Sequence, residues 1–201
     1  MPQTIFFDFG NVVGFFDHQR AVRRLLAHTD LTAAELYARF YAGDLETRYE
    51  CGAITTDEFF AEVKPLGRLT CSQAEFVGAF GDIFWPNPPV ADLIPRLKAA
   101  GHRLFLASNT NDAHFVKFRA MFAATLDHFD GIAVSHEAKA RKPTPAFFEY
   151  ARLLAGAAPA ECLLIDDLEV NVAGARAAGW DAILYQRFDD LTAELGKRGL
   201  M

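Results

Sequence analysis

At 201 residues and 51% hydrophobic content, the chain is long enough to bury one core and an inserted unit, and too short for several independent domains. A net charge of -6 with pI near 5.5 offers no clustered basic footprint, which sets aside nucleic acid and anionic membranes and leaves a small molecule as the expected partner. Met1-Pro2-Gln3-Thr4 leads into the first apolar run without a basic leader, no segment has the apolar length of a membrane span, and Cys51, Cys71 and Cys162 form no C-x-x-C pair, so a cytoplasmic protein without zinc or disulfides is expected.

The first predicted strand, residues 5–7, ends at Asp8, and the next, residues 104–107, lies nearly a hundred residues on, far more than one crossover helix needs. The intervening stretch is not a loop. Apolar periodicity predicts helices over residues 21–27, 33–41, 57–63 and 74–83, with Thr32 and Thr56 as N-caps. Residues 16–85 are therefore expected to form a helical cap inserted after strand one, and Pro86, Pro88 and Pro89 a stiff connection back. A helix over 90–100 closes at Gly101. Strands at 132–134, 163–165 and 182–185 then alternate with helices over 145–155 and 172–178, stopped by Gly156 and Gly179. This alternation predicts an α/β core, residues 1–15 and 86–201, with a doubly wound parallel sheet and helices on both faces. Cys162, which opens an apolar run, reads as a small buried hydrophobe.

In an open parallel sheet, ligands bind beyond the carboxyl ends of the strands, where strand order reverses. Three apolar runs end there in polar groups: Asp8, then Ser108-Asn109-Thr110, then Asp166-Asp167. Asp166 and Asp167 are adjacent carboxylates at a dry sheet end and repel unless a cation, a lysine or a proton neutralises one. Asp8 and one of this pair, with a backbone carbonyl, waters and substrate oxygens, would give the oxygen set that Mg²⁺ takes. Taken alone, Ser108 or Asn109 reads as a helix cap, the Asp166-Asp167 pair as either a cap or a metal site, and Lys142, in Arg141-Lys142-Pro143 after the strand at 132–134, as a solvated loop charge. Their convergence favours a site in which Lys142 supplies the positive charge that a carboxylate nucleophile and a phosphoryl group both need.

The order Asp8-Phe9-Gly10-Asn11-Val12, Ser108-Asn109, Lys142-Pro143, Asp166-Asp167 resembles the four motifs of the haloacid dehalogenase superfamily across essentially the whole chain, and is most similar to its bacterial alpha-D-glucose-1-phosphate phosphatase group. The resemblance implies a Rossmann-like core with a helical cap, and a Mg²⁺-dependent hydrolase of a small phosphate monoester, a sugar phosphate among the candidates. It implies that Asp8 attacks phosphorus, and that Asp8, the Gly10 carbonyl and Asp167 hold Mg²⁺. Ser108 and the Asn109 N–H would hold phosphate oxygens, Lys142 would balance charge, Asp166 would hold a metal-bound water or orient Lys142, and Asn171 would support the lysine.

Two positions depart from the family pattern. Gly10 stands where most of these phosphatases carry an acid–base aspartate, so proton transfer falls to Asp17, His18 or a cap residue, or the leaving group needs little help. Lys139 stands where glycine is frequent. The missing aspartate keeps 2-haloacid dehalogenases, which need no metal, as an alternative, together with a catalytically impaired binding protein of the same fold; the Asp166-Asp167 pair favours the phosphatase. Within the cap, Arg48, Tyr49 or Glu50 is placed to reach over the site, and monomer and homodimer both stay open.

Overall fold

A computed structural model describes residues 3–41 and 43–201; Met1 and Pro2, where the reading of the N-terminus began, lie outside the described residues. The chain runs β1 (Thr4–Phe7), β2 (Gly14–Phe16), α1 (His18–Leu25), α2 (Ala33–Tyr41), α3 (Leu45–Glu50), α4 (Thr56–Leu66), α5 (Gln73–Gly81), β3 (Phe84–Pro86), α6 (Pro88–Ala99) and β4 (Arg103–Ser108). It continues through α7 (Asp112–Met121), α8 (Ala123–Leu126), β5 (Gly131–Val134), α9 (Ser135–Ala138), α10 (Pro145–Ala155), β6 (Cys162–Asp166), α11 (Glu169–Ala177), β7 (Asp181–Leu184) and α12 (Phe188–Lys197).

Five strands pair in parallel in the order β5-β4-β1-β6-β7. The chain leaves β1 to one side for β4 and β5, then returns to its other side for β6 and β7, so strand order reverses at β1. Register sets the site. Phe7 pairs with Ile165, which brings Asp8 level with Asp166, and Phe7 also pairs with Leu106, which brings Ser108 just beyond Asp8 on the other flank. Both sheet faces are buried because strand residues alternate between two cores: Ile5, Phe7, Leu104, Leu106, Leu163 and Ile165 point into one, and Phe6, Phe105, Ala107 and Leu164 into the other.

Helices α1 to α5 fill the stretch between β2 and β3 and bury a third core, in which Val22, Leu36, Phe40, Tyr49, Phe59 and Phe76 pack together. Strands β2 and β3 form an antiparallel ribbon at its root, pairing Phe15 with Trp85. The expected division at 16 and 85 falls within that ribbon. Pro86 belongs to β3, and Pro88 and Pro89 open α6 rather than forming a bare connection. The N-cap of α4 is Thr55, not Thr56: Thr55 and Glu58 form a reciprocal capping box, while the Thr56 hydroxyl lies 2.7 Å from Tyr49 Oη and donates to Asp112. Thr32 accepts from the Glu35 N–H and donates back to its carboxylate, as a cap at that position should. Helix α1 starts earlier than its apolar pattern because Asp17 caps it, and α11 begins at Glu169 rather than 172. Cys162 is fully buried, as expected of a small hydrophobe.

Candidate active site

Asp8 directly follows β1, and its N–H donates to the Ile165 carbonyl at 2.9 Å, which fixes the backbone at the mouth of the sheet. The chain then turns tightly, with the N–H groups of Val12, Val13 and Gly14 all donating to the Phe9 carbonyl and Asn11 in the left-handed region at φ 56°. Asparagine tolerates that conformation better than most residues. The turn aims its amide at Asp167, to whose Oδ2 it donates at 2.9 Å.

Lys142 is 1% exposed and donates to Asp8 Oδ1 at 2.8 Å and to Asp166 Oδ2 at 2.5 Å. Its backbone is clamped by one side chain: Asn109 Oδ1 accepts from the Lys142 N–H and Asn109 Nδ2 donates to the Lys142 carbonyl. Asp166 is wholly buried, and its other oxygen accepts from the Leu168 N–H and from Asn171 Nδ2. With both oxygens engaged, Asp166 is placed to hold the lysine. Asn171 reaches the lysine through Asp166, its amide lying on the far oxygen of that carboxylate.

Burial pushes the Asp8 carboxyl up to about 7; Lys142 opposes this, and Asp166 and Asp167 add to it. Burial also raises Asp167, against the Asn11 hydrogen bond. Lys142 loses by burial too, but its two carboxylate partners outweigh that and hold it above the ordinary lysine range. The ammonium thus pairs with two carboxylates while Asp167 adds a third charge close by, with ligand oxygens of Asp8, Asp166 and Asp167 within 4.8 Å of one another. Lys142 engages Asp8 at Oδ1 and Asn11 engages Asp167 at Oδ2, and both carboxylates border one cavity with Gly10. A set of hard oxygens with excess negative charge fits a divalent cation such as Mg²⁺, with Asp8, Asp167 and the Gly10 carbonyl as the residues that would hold it.

A second cavity adjoins the first. The two share Gly10, Phe16, Glu50 and Asn109, and the second continues past Ser108 and Thr110 to His18, Phe84, His114 and Phe118. Burial lowers His18 to about 4 and His114 to about 3, so both rings are neutral at pH 7. His114 is pinned, with Nδ1 on Asn111 and Nε2 on the Phe80 carbonyl. His18 stacks on Tyr41 at 4.4 Å.

The cavities thus gather Asp8, Gly10, Ser108, Asn109, Lys142, Asp167 and Asn171, with Asp166 behind them. Of Arg48, Tyr49 and Glu50, Glu50 borders both cavities. Tyr49 is buried in the helical core, stacked on Phe59, and Arg48 turns outward to Glu62. Asp17 caps α1 and pairs with Arg23, away from both cavities. Lys139 takes the left-handed φ of 55° that a glycine prefers, and its ammonium donates to the Gly52 carbonyl. Two contributors had no assigned role in the sequence reading. Asn11, the hold on Asp167, was visible only as a motif letter, and Phe16, which walls both cavities, carried no polar signal.

A parallel sheet with its polar groups gathered beyond the carboxyl ends, around an aspartate held by a buried lysine, defines a Rossmann-like α/β hydrolase. The chain belongs to the haloacid dehalogenase-like hydrolases, whose family profile matches residues 2–179. It is 25% identical over 204 residues to D-ribitol-5-phosphate phosphatase of Bacteroides thetaiotaomicron, covering 97% of each chain. It is also 39% identical over 115 residues to Protein CbbY of Rhodobacter capsulatus; that match takes in 53% of this chain and 49% of CbbY, about half of its length. Among solved structures, a haloacid dehalogenase family enzyme of Bacteroides thetaiotaomicron, in complex with magnesium and inorganic phosphate, superposes with a TM-score of 0.79 at 23% identity, over 92% of this chain and 95% of that one.

Proposed function

We propose that the protein is a phosphatase that hydrolyses a small phosphate monoester through an aspartyl-phosphate on Asp8, with Mg²⁺ as cofactor. The observation that carries this reading is the charge arrangement: three clustered carboxylates against a single buried lysine, which pairs with Asp8 and Asp166 and leaves the charge of Asp167 in excess. A site for attack on an anionic 2-haloacid gains nothing from that excess negative charge, whereas a Mg²⁺–phosphoryl site uses it. When bound, Mg²⁺ neutralises phosphoryl oxygens and lowers the barrier to attack on phosphorus.

The chain's own residues divide the remaining work. Lys142 holds Asp8 through Oδ1 at the cavity wall, and its charge offsets that of the incoming phosphate. Asp166 and Asn171 keep the ammonium in place, and Asn109 fixes the loop that carries it. Ser108, at the end of β4, is buried at the edge of the second cavity, where its hydroxyl and the Asn109 N–H would take phosphate oxygens. Residues 16–85 serve as the cap over a core of 1–15 and 86–201, closing the leaving-group cavity with Phe16, His18 and Glu50. A sugar or polyol phosphate handled in the cytoplasm fits this enclosure and the named relatives, in a monomer or homodimer without nucleic-acid or membrane partners; among the described residues, no helix is long and apolar enough to cross a membrane.

Asp8→Asn should abolish phosphate release from every monoester while the thermal melt stays cooperative; near-native kcat in that variant would remove Asp8 as the nucleophile. Asp167→Ala should raise the Mg²⁺ concentration needed for half-maximal rate more than Asp166→Ala does, whereas Asp166→Ala should act mainly on kcat through Lys142.

A further inference from the structure

The volume that an acid–base side chain at position 10 would occupy is already filled. A Cβ on Gly10 would lie 2.9 Å from Phe16 Cε1 and 3.8 Å from Asp8 Oδ2, so the Phe16 ring stands where the longer side chain would project. Any proton relay must come from another wall of the two cavities. His18 and His114 border the second but are neutral at pH 7, and His114 has both ring nitrogens engaged. Lys142 is held by two carboxylates, and Asp8 and Asp167 belong to the nucleophile and metal set. One carboxyl remains: Glu50, the last residue of α3, which borders both cavities beside Gly10, Phe16 and Asn109.

We propose that Glu50 is the catalytic acid and base that stands in for the missing aspartate. The inference rests on the phosphatase reading. As the bond from Asp8 to phosphorus forms and the bond from phosphorus to the ester oxygen breaks, the Glu50 carboxyl gives its proton to that oxygen and the alcohol leaves. The resulting carboxylate then takes a proton from the water that attacks phosphorus, the Asp8–phosphorus bond breaks, and inorganic phosphate, Asp8 carboxylate and protonated Glu50 are regenerated.

The surroundings of Glu50 suit both halves. Its Oε2 lies 3.1 Å from Arg141 Nη1, which sets the carboxyl's position from the loop after α9 at the wall of both cavities. Glu46 lies one turn earlier in α3, and Lys142 lies beyond Arg141. Burial raises the Glu50 carboxyl above the ordinary glutamate range, against the pull of Arg141 and Lys142.

The test uses p-nitrophenyl phosphate, whose leaving group departs without a proton, so that only the second half of the cycle depends on a base. The wild type should release p-nitrophenol linearly from the first turnover. Glu50→Gln should show a burst near one equivalent per site, then turnover slowed by about a hundredfold or more, with the phosphoenzyme trapped by acid quench. Glu50→Asp, which keeps a carboxylate, should recover at least about tenfold of that loss. Slow turnover without a burst in Glu50→Gln, or turnover at the wild-type rate, overturns the assignment; so does a Glu50→Asp variant no faster than Glu50→Gln. Release by the wild type that persists in Asp8→Asn overturns the phosphatase reading as well, and the two failures are thereby told apart.

Discussion

Gly10 and Phe16 compete for one volume, and the outcome sets what chemistry position 10 can contribute. Restoring an aspartate there by itself forces the ring aside, an overpacking cost of about 1–3 kcal/mol. Gly10→Asp alone should therefore lower Tm without raising turnover, and in Gly10→Asp with Phe16→Ala the combined Tm loss should be smaller than the sum of the two single losses; a Gly10→Asp variant that melts like the wild type and turns over faster would refute the steric account. Glu46 illustrates a second effect at this scale. Burial and the neighbouring Glu50 raise it to about 8, so it is protonated in the folded chain at neutral pH, and since His18 is neutral there, their 3.8 Å approach is not an ion pair. Its folded pKa lies above the ordinary 4.5, so the folded form holds a proton that the unfolded chain releases. The stability this group contributes is present below pH 4.5 and is lost as pH rises through about 8. Glu46→Gln should thus melt above the wild type at pH 8 and converge with it near pH 4.5; a Tm difference that is flat with pH would contradict the shift.

At the scale of elements, the reacting groups owe their positions to loops that are clamped rather than free. The segment around Lys142 is gripped on one side by Asn109 and backed on the other by α11, where a Cβ on Gly174 would meet the Pro143 carbonyl at 2.7 Å. Gly174→Ala must push that backbone, and a displacement of about 1 Å at a reacting group can cost about a hundredfold in rate. Steady-state kinetics should show kcat falling by about ten- to a hundredfold in this variant, which changes no group that touches substrate; an unchanged kcat would mean the loop yields without moving Lys142. The same elements explain what the sequence disclosed. Asp8, Ser108 and Asp166 were legible because each ends an unbroken apolar run, and a buried parallel strand leaves that trace. The β2–β3 ribbon left none, since each strand is three residues long and Phe84 and Trp85 read equally as helix end or linker. Helix α7 was missed because its apolar positions are split between two cores, Ala113 facing one and Phe115 and Phe118 another. That Glu50 rather than Arg48 or Tyr49 reaches the site depends on how α3 rolls against α4 and α9, which no local pattern in that segment specifies.

At the scale of the whole molecule, the inserted helices have their own core yet are tied to the sheet domain by specific polar contacts. Arg141 meets Glu50 and the Thr47 hydroxyl, Lys139 donates to the Gly52 carbonyl, and Tyr49 Oη accepts from the Ala113 N–H. Gly52 packs tightly at this seam: its φ is +58°, and a Cβ there would fall 2.2 Å from the His136 carbonyl oxygen. Gly52→Ala should part the two units at that seam and raise KM by about tenfold, the equivalent of about 1.4 kcal/mol of binding, with a smaller effect on kcat; an unaltered KM would show that the seam does not shape the leaving-group cavity. The chemistry proposed for the site is Mg²⁺-dependent attack by Asp8 on phosphorus. The most direct measurement follows phosphate and halide release in parallel, from a panel of sugar and polyol phosphates and from a 2-haloacid, with Mg²⁺ and with excess EDTA. Phosphate release should require Mg²⁺, with no halide release under either condition; full turnover in EDTA, or halide released from the 2-haloacid, would contradict Mg²⁺-dependent attack on phosphorus.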